Sequence, residues 1–188
     1  MVRRDKPSNL STTPGMLPQP TVGFSDDNSR VTAELPTGES VTVLLYGATV
    51  ISWKDASGDE KLWLSDAAKL DGSRAVRGGI PVFGTAPDHA QTKDLPQHGF
   101  ARTSRWEFLG KSTSEADVKL DFGLSSAAPG LDPKAAAAWR FKFNLIYSVI
   151  LNKTSLTTSI VATNDGSEPW DCQVLMHTYL RVQTIEIL

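Results

Sequence analysis

The sequence predicts an all-β chain whose strands pair antiparallel in a sandwich or a barrel. Short runs of alternating apolar and polar residues recur along most of the chain. Residues typical of turns separate these runs, which is the pattern of antiparallel sheets. Only one short stretch, residues 133–139 with four consecutive alanines, favours a helix.

The predicted strands follow a tail. Residues 1–28 mix prolines with Ser, Thr and Gly, so we expect a flexible tail followed by one domain over residues 29–188. Residues 31–35 and 41–46 flank the turn sequence Pro36-Thr37-Gly38-Glu39 and predict a hairpin. Further strands are expected at 49–53, 61–64, 104–109, 118–122, 141–151, 155–163 and 173–182. Residues 66–103 form a long connection, and such connections are often functional.

Composition and charge exclude several classes of partner. The chain has 188 residues, 40% hydrophobic and 21% charged, as in globular domains. Because the formal net charge is −2, we expect no nucleic-acid partner, and no apolar run is long enough to span a membrane. The single cysteine, Cys172, rules out an internal disulfide and suits a reducing, cytoplasmic location. We expect a monomer.

The first candidate binding motif lies at residues 71–81. Arg74 and Arg77 stand three residues apart, beside Gly78 and Gly79. A guanidinium offers a planar fork of donors that suits phosphate or sugar oxygens, and adjacent glycines let the backbone approach a ligand closely. A solvated turn with surface arginines is the simpler interpretation on spacing alone.

A second motif, residues 95–102, holds Gln97, His98 and Arg102 in a loop that leads into a strand. These side chains offer donors and acceptors for several hydroxyl groups of a sugar. The alternative is a loop whose histidine satisfies nearby backbone groups. His89 is expected to be an ordinary loop residue.

A third motif surrounds His177 in the last predicted strand. If residues 173–182 alternate, His177 shares a face with Gln173, Tyr179 and Arg181, away from the apolar stripe. An imidazole among polar groups suits proton transfer near neutral pH. A surface histidine on a half-solvated strand is the alternative. Because the three histidines lie far apart in sequence, we expect no metal site.

In this order, the motifs resemble the aldose 1-epimerase (galactose mutarotase-like) superfamily. Within it they are most similar to the glucose-6-phosphate 1-epimerase, or hexose-6-phosphate mutarotase, branch as found in fungi. The resemblance covers residues 30–188. The matching stretches are residues 46–53, 62–65, 67–73, 75–81, 95–102, 106–110 and 177–179.

The resemblance implies an antiparallel β-supersandwich and a cofactor-free interconversion of the α and β anomers of glucose 6-phosphate. It implies that His177 is the general acid that protonates the ring oxygen. Arg77, Gln97 and Arg102 match substrate-binding positions, with His98 beside them, and the arginines suit the phosphate. The expected partner is therefore a small sugar phosphate.

Two departures from the family pattern lead to further expectations. The family's general base, a glutamate, and a further substrate-binding aspartate belong to a C-terminal part without a matching motif here. We therefore expect a truncated form, incomplete at the C-terminus, with impaired activity. The family also has extra apolar residues and a second proline where Val82-Phe83-Gly84 follow Pro81 directly. This shortening would shift Arg77 by several ångströms, since each residue spans roughly 3.3–3.6 Å.

Two other interpretations fit the same residues. A non-catalytic carbohydrate-binding sandwich would share the arginine-rich loops but would need no acid or base. A partly folded fragment would have no function of its own.

Overall fold

The computed structural model describes residues 18–84 and 92–183, and two four-stranded antiparallel sheets dominate it. The first sheet has the order β1-β2-β3-β4, with strands at Thr21–Phe24, Arg30–Glu34, Ser40–Leu44 and Thr49–Lys54. A two-stranded ribbon pairs β5, Val82–Phe83, with β10, Leu175–Met176. The second sheet has the order β6-β7-β8-β9, with strands at Glu107–Thr113, Asp117–Ser125, Phe143–Asn152 and Leu156–Asn164. The prediction of an all-β antiparallel fold is confirmed.

The second sheet is regular because buried and more exposed residues alternate along its strand β7. Every second residue of β7, from Val118 to Leu124, is buried, and the residues between them are half-exposed. β7 pairs with β8 without interruption from Asp117 to Ser125, and β8 pairs with β9 in the same unbroken way. A period of two is what a pleated strand needs to bury one face.

The two sheets enclose one apolar core. Val31 and Val43 of the first sheet are fully buried in the same cluster as Phe122 and Tyr147 of the second. Full burial of a Val or Phe side chain contributes about 1.5–3 kcal/mol, so this shared cluster holds the sheets together.

A smaller cluster lies on the other face of the first sheet. Leu44 and Ile51 follow the core residues Val43 and Val50 in their strands, so their side chains point to the opposite face. Val76, from the connection after β4, is buried with them. This packing holds the segment that carries the first sequence motif against the sheet.

The predicted helix is confirmed as α1, Pro133–Ala138. The side chain of Asp132 accepts hydrogen bonds from the N–H groups of Lys134 and Ala135, and Pro133 occupies the first turn. A carboxylate cap followed by proline is a typical helix start. Within the described residues, no helix has the length and apolar character to cross a membrane.

The expected tail of residues 1–28 is wrong at its C-terminal end. Residues 21–24 form β1, which pairs with β2 from Thr21–Glu34 to Phe24–Val31. Thr, Val and Phe favour strands, but the high proline content just before them obscures this short pattern. Residues 1–17 lie outside the described part of the chain.

Two expected strands are largely replaced by single bridges. In the described residues, 173–182 contribute the short β10 and one bridge from Leu180 to Leu62. Leu180 and Val182 of the expected apolar stripe are more than half exposed, so the stripe is not buried as a whole. Residues 61–64 likewise make bridges, through Leu62 and Leu64. In the described residues 66–84 and 92–103, the long connection contains the short β5, a 3-10 turn at Ala101–Thr103 and single bridges at Gly78 and Ile80.

Candidate active site

Main-chain contacts bring the segment around His177 onto the glycine pair of the first motif. The N–H of Tyr179 donates to the carbonyl oxygen of Gly79 over 2.9 Å. The carbonyl oxygen of Tyr179 accepts from the N–H of Trp63, also over 2.9 Å. Pairing of Met176 with Val82 continues the contact. Residues 175–181 therefore contact both Trp63 and Gly79, which also bond to each other through the Gly79 N–H and the Trp63 carbonyl oxygen over 2.8 Å.

The path of the chain at this point requires glycine. Gly79 has a φ of +66°, and a Cβ there would lie 2.1 Å from the carbonyl oxygen of Val50. Gly78 has a φ of +117°, and a Cβ there would lie 2.6 Å from the carbonyl oxygen of Trp63. Both positions combine a left-handed φ with a backbone contact that no other residue could make. The glycine pair thus fixes the main chain immediately after the exposed Arg77.

A tight turn shapes the loop that carries the second motif. The N–H of Gly99 donates to the carbonyl oxygen of Pro96 over 2.9 Å, and His98 adopts a φ of +71°. A positive φ is uncommon outside glycine, and such residues cluster at functional sites. The carbonyl oxygen of His98 accepts from the N–H of Gly84 over 3.0 Å, which ties this loop to the end of β5.

The side chain of Arg102 folds back over this loop. Its Nη2 donates to the carbonyl oxygen of Gln97 over 3.3 Å, and the residue is half-buried. Burial lowers the pKa of Arg102, whereas Tyr179 and Tyr46 raise it. Arg102 is therefore a partly desolvated cation flanked by two tyrosines.

His98, Arg102 and His177 share one electrostatic environment. Burial lowers the pKa of His98 below its ordinary value, and the positive charges of Arg102 and His177 lower it further. Interactions of this kind decline over about 10 Å at ordinary ionic strength. The fold thus brings together side chains from the second and third sequence motifs.

The ring of Tyr179 packs against His177 and is itself packed against Trp63. The centroids of the His177 imidazole and the Tyr179 ring are 4.5 Å apart, and their planes are tilted by 32°. The Tyr179 ring in turn lies 5.8 Å from the ring of Trp63. His177 and Trp63 are exposed, and Tyr179 is half-buried. An imidazole that is packed on one side and open on the other can meet a ligand and transfer a proton.

The five predicted site residues fall into two groups. His98, Arg102 and His177 interact through their charges. Arg77 and Gln97 are exposed and connect to this group through the main chain. Within the described residues, the guanidinium of Arg77 makes no hydrogen bond or ion pair with the other four. The roles assigned to these side chains stay predictions.

The sequence motifs do not single out Tyr46 as a site residue. Burial raises the pKa of Tyr46, Asp132 and Asp71 raise it further, and Arg102 lowers it. Tyr46 therefore lies within electrostatic range of residues from three distant segments. No local pattern in the sequence indicates such a position.

Trp63 and Tyr179 are also absent from the predicted site. Tyr179 stands two residues after His177, and an extended chain puts such residues on one face, so its position could have been predicted. Trp63 reaches the site through backbone hydrogen bonds with Tyr179 and Gly79, which are distant in sequence and leave no local signal.

The groups gathered here are guanidinium, imidazole and phenol groups, which bind oxyanions and move protons. Among residues 18–84 and 92–183, no cluster of three His, Cys, Asp or Glu side chains is placed to hold a metal ion. His89 lies outside the described residues.

Comparison with known proteins shows the family to which the chain belongs. The profile of the family described as aldose 1-epimerase matches residues 29–188. A Cenchrus ciliaris protein, named as a candidate glucose-6-phosphate 1-epimerase, is 32% identical over 152 residues, covering 76% of this chain and 44% of that protein. An Escherichia coli (strain K12) protein with the same name is 30% identical over 141 residues, covering 75% and 45%. The chain thus spans less than half the length of these relatives.

Solved structures give a matching result. A Salmonella typhimurium protein described as a candidate mutarotase aligns with a TM-score of 0.58 and 28% identity, covering 71% of this chain and 43% of that one. A protein from Synechocystis sp. PCC 6803 aligns with a TM-score of 0.57 and 30% identity, covering 84% and 52%. These likenesses confirm the galactose mutarotase-like sandwich expected from the sequence.

Proposed function

The chain belongs to the aldose 1-epimerase family, and on that premise we propose that it binds glucose 6-phosphate and takes part in interconverting its α and β anomers. The observation that carries this proposal is the backbone pairing that brings the three motifs together: Tyr179 bonds to Gly79, His98 bonds to Gly84, and β5 pairs with β10. A cationic site with an accessible imidazole suits a phosphorylated sugar whose ring must be protonated.

The reaction opens and recloses the hemiacetal of the sugar. A base removes the proton of the anomeric hydroxyl while the imidazolium of His177 donates a proton to the ring oxygen, and the bond between C1 and that oxygen breaks. Rotation of the free aldehyde and reclosure on its other face give the second anomer. An acid and a base each contribute about 10²–10⁴-fold to such a step. No residue of this chain is assigned as the base.

The remaining predicted residues bind the substrate in this proposal. Arg77 and Arg102 bind the phosphate through charge-assisted hydrogen bonds, which are stronger at the half-buried Arg102 than in free solvent. Gln97 and His98 contact sugar hydroxyls. Because its pKa is lowered, His98 is neutral near pH 7. A neutral imidazole both donates and accepts a hydrogen bond, as a hydroxyl partner requires.

Substitution of His177 tests the proposal. We expect His177→Gln to slow conversion of the glucose 6-phosphate anomers by about 10²–10⁴-fold, because the proton donor is lost. Its affinity for glucose 6-phosphate should change little. NMR exchange spectroscopy measures the conversion and titration calorimetry the affinity. His89→Gln is the matched control, since the sequence predicts an ordinary loop residue there.

Three outcomes would contradict the proposal. Conversion at full rate by His177→Gln would remove the acid role. Binding of glucose 6-phosphate without any conversion by the unsubstituted chain would favour the non-catalytic carbohydrate-binding alternative. If the unsubstituted chain neither bound nor converted glucose 6-phosphate, the substrate assignment would be refuted. The monomeric state and the cytoplasmic location expected from the sequence stay predictions.

A further inference from the structure

Tyr179 is fixed by its main chain on both sides. Its N–H donates to Gly79 and its carbonyl oxygen accepts from Trp63, each over 2.9 Å. Leu180, the next residue, bridges to Leu62. Backbone hydrogen bonds therefore set the position of Tyr179 relative to both neighbouring segments. The direction of the Tyr179 ring is the freedom that remains.

The ring of Tyr179 is held in turn by its neighbours. It lies 5.8 Å from the Trp63 ring on one partner segment and 4.5 Å from the imidazole of His177 on its own segment. An exposed imidazole without such a contact would sample several rotamers, and ordering one of them on binding would cost affinity or rate. The stack with Tyr179 restricts that freedom in advance.

The same residue also interacts with Arg102. Tyr179 raises the pKa of this guanidinium against the effect of burial, so the two side chains lie within electrostatic range. Tyr46 raises it as well, but the Tyr46 ring packs against the small cluster of Leu44, Ile51 and Val76. Of these two tyrosines, Tyr179 has the ring contact with the imidazole.

We propose that Tyr179 is a positioning residue whose ring, fixed by Trp63 and Gly79, orients the imidazole of His177. The inference rests on the proposed function for its catalytic consequence. Its structural content, the orientation of the imidazole by the Tyr179 ring, can be measured without any turnover.

Two substitutions separate the ring from the hydroxyl. Tyr179→Leu keeps an apolar side chain but removes the aromatic face, so the ring-current shift of the His177 Hε1 resonance should disappear. Tyr179→Phe keeps the face and should retain that shift. Tyr46→Leu is the matched control, because it removes the other tyrosine ring within electrostatic range of Arg102, and it should leave the His177 resonance in place.

Kinetics give the second readout. Loss of orientation by about 1 Å can cost on the order of 10²-fold in rate, so Tyr179→Leu should lower kcat for anomer conversion by roughly 10- to 100-fold. Its KM should change far less, and Tyr179→Phe should restore kcat. A purely structural role would instead lower folding stability and leave kcat per folded molecule unchanged.

The outcomes distinguish this inference from the proposed function. If the His177 Hε1 resonance had the same chemical shift in Tyr179→Leu and in the unsubstituted chain, the inference would be overturned, whatever the turnover. A kcat for Tyr179→Leu equal to that of the unsubstituted chain would overturn it too. A third outcome would overturn the proposed function alone. In it, the unsubstituted chain does not convert glucose 6-phosphate, but the His177 resonance still shifts when Tyr179 is replaced by Leu.

Discussion

The second sheet and the site region are held together in different ways. β7, β8 and β9 pair through uninterrupted ladders, and β7 buries every second residue. The site region relies on single bridges such as Leu62–Leu180 and Leu64–Gly78, on a two-residue ribbon, and on glycines with positive φ. The ladders consist of many equivalent bonds and cover the shared core, whereas the site region is held by a few backbone bonds, such as those that join Trp63, Gly79 and Tyr179. One substitution should therefore act globally in the first region and locally in the second.

The largest effect is expected in the sheet. Phe122 is fully buried and lies 5.6 Å from the Phe108 ring. Phe122→Ala should lower the free energy of unfolding by about 3–5 kcal/mol, because it leaves a cavity in the shared core. Urea denaturation measures this loss. Phe24→Ala is the control, since Phe24 contacts the same Phe108 ring at 5.3 Å but is 49% exposed. Equal losses for the two variants would contradict the central role of the shared core.

A smaller but more local effect is expected at Gly79. Gly79→Ala combines a clash with the Val50 carbonyl oxygen and a strained φ, so we expect a loss of about 2–4 kcal/mol in the free energy of unfolding. It should also weaken glucose 6-phosphate binding, because the glycine pair fixes the main chain immediately after Arg77, the proposed phosphate ligand. Calorimetry and urea denaturation measure the two effects.

Gly58→Ala is the matched control for this substitution. Gly58 has a φ of +84°, but a Cβ there meets nothing within 4 Å. It should therefore cost about 1 kcal/mol from strain alone and leave binding intact. If Gly79→Ala proved as mild as Gly58→Ala, the close backbone approach could not be what fixes the site.

The smallest expected effect is a change in the pKa of His98. Removing the charge of Arg102 with Arg102→Gln should raise the pKa of His98, since that charge lowers it in the folded chain. NMR titration of the His98 ring measures the change. Arg105→Gln is the control, because Arg105 is exposed and its guanidinium donates to the carbonyl oxygen of Asn28. An unchanged His98 titration in Arg102→Gln would show that the two groups are not close.

The lowered pKa of His98 also makes the folding stability depend on pH. The folded pKa of His98 lies below the ordinary value of 6.5, so the unfolded chain binds the proton first as the pH falls. Stability from this group is therefore present above pH 6.5 and is lost as the pH drops through the folded pKa. Arg102→Gln should reduce that loss, which urea denaturation at several pH values would detect.

The same contrast explains how much the sequence could predict. The hairpin of β2 and β3, the strands β7 to β9 and the helix α1 depend on alternation, turn residues and a cap, all of which are local. Apolar and polar residues alternate just as clearly over residues 173–182, yet in the described structure these residues form only β10 and one bridge. Tertiary context decides which alternating run joins a sheet. The family resemblance predicts site roles for Arg77, Gln97, His98, Arg102 and His177, and these roles stay predictions. Tyr46 and Trp63 reach the site through long-range contacts that no local pattern records.

The two outer strands of the second sheet differ in one further respect. β6 carries Glu107 and Lys111 and an irregular register near Gly110, features that discourage other chains from pairing there. β9 has no charged residue and no proline, and among the described residues β8 is its one strand neighbour. Concentrated solutions of this chain should therefore aggregate through β9. A lysine in place of the exposed Val161 is the simplest change that would keep the protein soluble for the measurements above.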